Sequence, residues 1–263
     1  MTVEDEREQV AATLDATPEL MPWVPELLRD LFDLGSSPDL VSEWVGALGL
    51  PSDARVLDLG FGKGAVSLTL ARDLGVHAHG VDLCEPFVRE ARRTAEEWGV
   101  SGRCRFEKGD LREVARTARG YDVVVYASVG ELGRLDAAVG AIRDCVGDGG
   151  FLVVDEGFLA PGAGEAAGVG ELTGFEDLAS YDESRRRLTS HGDVILKEKT
   201  LTPEEMRALD ERYIESIAAR SEVLAARHPE AAATILGYVD RQRRAAAAWE
   251  RVAISAAWLL RKG

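Results

Sequence analysis

The stretch Val56-Leu57-Asp58-Leu59-Gly60-Phe61-Gly62-Lys63-Gly64 limits what this 263-residue chain can fold into more than any other. A short apolar run ends in three alternating glycines, and an amphipathic pattern begins at Ala65. Glycine is required where a backbone turns sharply or where a ligand approaches too closely to leave room for a Cβ. The segment therefore reads as strand, tight turn, helix. The same alternation continues, with apolar runs at 56–59, 76–81, 103–106, 122–126 and 151–154 and helical patterns near 65–74, 86–98, 111–118 and 131–146. Continuous apolar runs separated by helices indicate strands buried on both faces. With right-handed crossovers they predict a doubly wound, mostly parallel α/β sheet.

The flanks follow other patterns. Residues 1–50 read as a helical N-terminal segment, with Thr17-Pro18-Glu19 and Ser37-Pro38-Asp39 each placing a hydroxyl before a proline suited to a first helical turn. Residues 51–160 form the α/β core. Residues 161–263 add a glycine- and alanine-rich loop around 157–180, a sixth strand near 193–201, a helical pair and a final apolar run at 252–260 that suits a strand or a buried helix. Thr202-Pro203-Glu204-Glu205 is a capping box opening the first helix of that pair. The pair is expected to cap the substrate side of the sheet, or alternatively to make a homodimer interface. The first 50 residues carry 11 acidic and 2 basic side chains, and residues 201–263 carry 9 and 10, so the two ends are expected to lie near each other.

Two cofactors suit the glycine turn on geometry alone. Gly60-x-Gly62-x-x-Ala65 with Asp82 downstream satisfies a relaxed dinucleotide fingerprint. A carboxylate at Asp58 would, however, repel a pyrophosphate and attract an ammonium or a sulfonium. Asp58-x-Gly60-x-Gly62-x-Gly64, Asp82-Leu83 and Asp110-Leu111, each after a successive strand, resemble the class I S-adenosylmethionine-dependent methyltransferases, with their Rossmann-like fold, over residues 55–156. The resemblance implies S-adenosylmethionine as cofactor, with Asp58 placing its amino group and Gly60, Gly62 and Gly64 letting backbone approach it. It also implies that Asp82, beside Leu83, bridges the ribose hydroxyls, that Asp110 and Leu111 read the adenine, and that the strand through Tyr126 brings the methyl toward substrate. Aspartates that merely cap helices are the plainer alternative for each acid. Phe61 departs from the small residue more usual there, and its ring is expected along the cofactor or packed beneath it.

Methyl transfer is an in-line displacement that needs alignment in a dry pocket and a base only when the acceptor must lose a proton. Glu156, at a strand end, and His191, in a polar turn, are the candidate bases; a salt bridge or cap and a solvated turn residue are their plainer readings. Trp23, Tyr126, Phe158, Tyr181 and Tyr213 are candidate walls of an acceptor site. No cluster of oxygen or nitrogen ligands suggests a metal. Tyr126-Ala127-Ser128-Val129 lacks the Pro-Pro-aromatic run suited to nucleobase amines. A serine-hydrolase elbow at Ser128 is a rival reading, as are another S-adenosylmethionine-dependent group transfer and a non-catalytic binding protein.

The net charge of −15 would repel a phosphate backbone, so a small-molecule substrate is expected rather than nucleic acid. Arg185-Arg186-Arg187 and the arginines at 241–244 are local exceptions. No apolar run approaches the ~20 residues of a membrane span. Three dispersed cysteines and an acidic start without an export signal indicate a reducing, cytoplasmic setting.

Overall fold

The computed structural model describes residues 3–163 and 177–263. Their contacts divide into two compact units. Residues 32–156, 182–199 and 256–263 make one, and residues 1–31, 157–181 and 200–255 the other.

Seven strands form one sheet: β1 (Arg55–Leu59), β2 (His77–Asp82), β3 (Cys104–Lys108), β4 (Tyr121–Ala127), β5 (Val146–Leu159), β6 (Val194–Thr200) and β7 (Ala253–Arg261), in the order β3-β2-β1-β4-β5-β7-β6. The pairs β3–β2, β2–β1, β1–β4 and β4–β5 are parallel. The last strand runs the other way beside β5: Lys262 N–H donates to the Gly150 carbonyl, whereas Ala160 N–H donates to the Val252 carbonyl. The apolar run at 252–260 is thus a strand rather than a buried helix. Strand order reverses between β1 and β4, which opens a crevice at the carboxyl ends of those two strands.

Apolar sequence explains the middle of the sheet. Val56, Leu57, Leu59, Val123, Val124 and Val125 are fully buried, as expected of strands covered on both faces. α4 (Ala65–Leu74) follows β1 directly and is buried along almost its whole length. α3 (Pro38–Gly46) covers the same region, with Val41, Trp44 and Val45 in one cluster with Val56, Val66 and Leu70. The register of β5 slips where Tyr121 pairs with Val146 but Val123 pairs with Phe151. Gly150 sits at that slip because a Cβ would stand 2.6 Å from Val146 Cγ1 and 2.8 Å from the Asp122 carbonyl.

The second unit is helical. α9 (Pro203–Arg227) begins with the expected capping box: Thr202 Oγ1 accepts from Glu205 N–H at 3.1 Å, and Thr202 N–H donates to the Glu205 carboxylate at 2.7 Å. α10 (Ala232–Val252) packs along it. The acidic N-terminal segment joins these helices, as its charge suggested: Arg220 pairs with Asp30, the Tyr238 hydroxyl donates to the Leu14 carbonyl, and Trp23 meets His228 with ring centroids 4.3 Å apart. Only part of that segment is regular helix: α1 (Val3–Thr13), the single turn α2 (Val24–Leu27) and α3. Thr17-Pro18 opens a chain of i to i+3 turns instead, and Thr17 bonds the Glu19 carboxylate rather than capping a helix. The expected loop at 157–180 lies largely outside the described residues.

Candidate functional site

The site grows from the carboxyl end of β1. Asp58 is buried on the strand and accepts a 2.6 Å hydrogen bond from Ser67 Oγ in the first turn of α4. Burial raises its pKa to about 6, the Ser67 bond opposes the rise, and the nearby Asp82 charge adds to it. The turn that follows needs its glycines: Gly60, Gly62 and Gly64 have φ of 73°, 57° and 84°. A Cβ on Gly60 would lie 2.6 Å from Val129 Cγ2, and one on Gly64 would lie 3.1 Å from Ala91 Cβ.

Asp82 ends β2 and grips this turn directly. Its carboxylate accepts from Gly62 N–H at 2.8 Å and from Cys84 N–H at 2.7 Å, with Leu83 between its own backbone and that of Cys84. Burial pushes Asp82 up to about 6 against those two bonds. Asp58 and Asp82 therefore flank the glycine turn with two neighbouring carboxylates.

Asp110 behaves differently. It is the N-cap of α6 (Leu111–Thr117), accepting from Arg112 N–H at 2.8 Å, and its carboxylate is forked by the Arg112 guanidinium at 2.9 Å. These bonds hold its pKa below the usual carboxylate range. The helix-capping alternative is thus realised at Asp110, while Leu111 is buried behind it.

Asp155 and Glu156 are neighbours within β5, level with the carboxyl end of β4; the strand runs on to Leu159, so Glu156 is not at its end as the sequence suggested. Burial lifts Asp155 to about 7, and burial with the Asp155 charge lifts Glu156 to about 8. The register Tyr126↔Val154 and Ala127↔Asp155 puts this pair at the carboxyl end of β4. Tyr126 is buried, and its hydroxyl accepts from Leu132 N–H at 2.9 Å, so it anchors the loop after β4 rather than leaving its oxygen free. Burial pushes that phenol well above its ordinary pKa.

His191 does not join this edge. Its Nε2 lies 3.0 Å from the Asp136 carbonyl on α7 (Leu135–Cys145), and two residues on Asp193 is tied to Arg143 and to Gly263 N–H. Lys262 N–H, one residue before Gly263, bonds Gly150 near the start of β5, so this loop sits on the helix layer toward the opposite end of the strands. Of the aromatic candidates, only Tyr126 lies in the unit that holds the acids; Trp23, Phe158, Tyr181 and Tyr213 belong to the other. Ser128 has a left-handed φ of 57°, yet the next helix begins only at Leu135, so no strand-turn-helix elbow presents its hydroxyl.

Contacts of three residues escaped the sequence, although the Phe61 ring itself was expected along the cofactor or beneath it. Phe61 packs beneath the turn: its ring meets Phe106 at 4.8 Å, and a Cβ on Gly80 would stand 2.6 Å from it. Gly80, inside an apolar strand, was the available signal for close approach. Lys63 is 2% exposed and pairs with Glu90 at 2.8 Å, pinning the turn to α5 (Glu85–Glu97). Leu34 lies over Gly62, where a Cβ would meet its Cδ1 at 3.4 Å.

Comparison with known proteins bears on this region directly: residues 56–150 match the family model described as a methyltransferase domain. The methyltransferase fold extends over most of the chain: a methyltransferase from Thiobacillus denitrificans solved with S-adenosyl-L-homocysteine superposes with a TM-score of 0.75 at 22% identity, covering 90% of this chain and 96% of that one. The structure of YjhP from Escherichia coli superposes with a TM-score of 0.74 at 19% identity, covering 92% and 98%. In sequence, the uncharacterized YjhP of E. coli K12 is 46% identical over 56 residues, 21% of this chain and 23% of its own length. The S-adenosyl-L-methionine-dependent Diels-Alderase iliD of a Neonectria species is 32% identical over 89 residues, 33% of this chain and 36% of its own. The aligned stretches thus span well under half of these curated relatives. The matched stretch holds the glycine turn, Asp58, Asp82 and Asp110; Glu156 lies just beyond it.

Proposed function

We propose that the protein transfers the methyl group of S-adenosylmethionine to a small organic acceptor and releases S-adenosylhomocysteine. The observation that carries this reading is the buried Asp58 and half-buried Asp82 flanking a left-handed glycine turn, crowded at Gly60 and Gly64, at the sheet's switch point. Carboxylates whose pKa values are raised by burial, and for Asp58 also by the neighbouring Asp82 charge, gain most from a cation, and a cofactor with an ammonium and a sulfonium supplies two. A pyrophosphate would raise the repulsion further. The donor chemistry therefore fits the methionine compound.

When bound, that cofactor supplies a methyl group on a positively charged sulfur, already activated for displacement. The protein's contribution is placement. Gly60 and Gly62 bring backbone to the ligand, Asp58 takes the ammonium, and Asp82 takes the ribose hydroxyls while it keeps Gly62 in place. A carboxylate has about four acceptor sites, so Asp110 retains capacity for the adenine amine beside Arg112. Glu156 is the proposed proton acceptor where the acceptor must lose one. Half-buried next to Asp155, it is mostly protonated at neutral pH and becomes a base as pH passes about 8, or lower once a cation lies nearby. His191 has no part in this proposal.

The net charge of −15 supports a small-molecule acceptor over nucleic acid, and no described helix is long and apolar enough to cross a membrane. A cytoplasmic setting is part of the same proposal. Isothermal titration with S-adenosylhomocysteine should show micromolar binding, weakened at least about tenfold in Asp82→Ala, roughly the worth of one charge-assisted hydrogen bond. Failure of both S-adenosylmethionine and S-adenosylhomocysteine to bind would overturn the proposal. The likeness to a cofactor-dependent Diels-Alderase supports a second reading, in which the cofactor is bound but not consumed. Mass spectrometry separates the two, since methyl transfer adds one CH2 to the product and cyclisation adds nothing.

A further inference from the structure

The amino ends of β1, β2, β3 and β4 line an open-sided cavity of about 250 Å³ at the edge of the sheet opposite the glycine turn, with Arg55, His77, His79, Arg103, Arg105 and Tyr121 among its walls. Such a concentration of basic groups is unexpected on a chain of net charge −15. The arginines are also held in place. The Arg55 guanidinium lies over the Tyr121 ring, its carbon 4.6 Å from the centroid, and donates to the Gly120 carbonyl at 3.4 Å. Arg103 donates to the carbonyls of Gly75 and Ser52. His79 is clamped between the Tyr121 hydroxyl, 2.6 Å from Nδ1, and the Glu107 carboxylate, 2.8 Å from Nε2.

The carboxylates nearby do not cancel this charge. Glu107 takes Arg105 at 2.6 Å. Asp122 accepts from the Arg55 backbone N–H at 2.7 Å, not from its guanidinium. Among the described residues no ion pair engages the side chain of Arg55 or Arg103. The basic runs noticed in the sequence are a contrast: Arg185 pairs with Glu198, Arg186 and Arg187 with Glu183, and Arg243 with Asp240. Those are ordinary compensated surfaces. At the sheet edge, Arg105 and His79 share the Glu107 carboxylate, while the guanidinium groups of Arg55 and Arg103 are bonded to backbone carbonyls.

We infer that this cavity binds a phosphate-bearing small molecule, with Arg55 and Arg103 as its principal contacts. Two guanidinium forks without carboxylate partners match the charge and the several acceptor oxygens of a phosphate dianion. Tyr121 keeps one fork oriented before the ligand arrives, which lowers the ordering cost of binding. The site shares no residue with the glycine turn, so it stands whether or not the proposed methyl transfer holds.

Pyrophosphate is the probe, titrated by calorimetry into the full chain at ionic strength held constant with chloride. Saturable binding is expected, weakened at least about tenfold in the double variant Arg55→Gln, Arg103→Gln, as loss of charge-assisted contacts implies. The double variant Arg185→Gln, Arg186→Gln should bind as the wild type does. Unchanged far-ultraviolet circular dichroism in each variant shows that the fold persists. A second measurement needs no variant: in proton NMR, pyrophosphate should shift the ring resonances of His77 and His79 and leave those of His191 and His228 in place. No saturable binding to the wild type, equal binding by the Arg55/Arg103 variant, or shifts confined to His191 and His228 would each overturn the inference.

Discussion

Gly60 shows how narrow the tolerance is at the site. With φ at 73° and a Cβ position 2.6 Å from Val129, alanine there demands both a strained backbone and a displaced β-branched side chain that has little freedom to move. Gly60→Ala is expected to cut S-adenosylhomocysteine affinity at least about tenfold, with about 1–3 kcal/mol lost from stability, measured by calorimetry and by denaturant unfolding. Wild-type affinity would show that the turn does not approach the ligand. Glu156 carries a second expectation. For an acceptor that must be deprotonated, the turnover rate should rise as pH climbs toward about 8, and Glu156→Gln should flatten the rise and slow turnover about 10²-fold or more. An unaltered pH profile in the variant would assign the proton to another group. The turn and its acids were readable because their spacing along the chain is itself the signal. Lys63 with Glu90, and Phe61 with Gly80, join residues far apart in sequence, and no local pattern announces such pairs.

Among the elements, caps decide what sequence can predict. Thr202 and Glu205 satisfy each other's backbone donors within four residues, so α9 starts where the sequence says it should. Thr202→Ala should cost about 1 kcal/mol, read as a lower midpoint in urea without change in slope. Thr17-Pro18 has the same local look but starts only turns, because its hydroxyl bonds the Glu19 side chain instead of a backbone N–H. Asp110 serves as a cap in this structure and as a ligand in the proposed function, and one substitution separates these roles. Asn caps about as well as Asp, so Asp110→Asn should unfold within about 0.5 kcal/mol of the wild type yet bind S-adenosylhomocysteine more weakly. Equal losses in both measurements would leave Asp110 a cap alone.

At the scale of the whole molecule, buried acids give the free protein a characteristic pH response. Asp58 and Asp82 sit at about 6, as do Asp15 and Asp210 in the helical unit, with Asp155 at about 7 and Glu156 at about 8. Unfolded carboxyls titrate near ~4. Between ~4 and ~8 the folded chain therefore holds more protons than the unfolded one, and stability falls as pH rises through that window. The melting temperature should be higher at pH 5 than at pH 8, and S-adenosylhomocysteine, which brings an ammonium to Asp58, should narrow the gap. A flat or reversed profile would mean that these carboxyls are better solvated than their burial suggests.

Strand and helix alternation, the glycine turn and the acids after successive strands are all set within a few residues of one another. Periodicity and composition therefore determined the sheet, its switch point and the positions of the acids along it. Whether an acid grips a neighbouring turn or caps its own helix depends on what packs beside it, as Asp82 and Asp110 demonstrate. The same holds for His191, drawn onto α7, and for Arg55 and Arg103, gathered from β1 and the loop before β3 into one basic cavity. Those outcomes belong to the tertiary structure, because burial and charge act through distances in space that positions along the chain do not reveal.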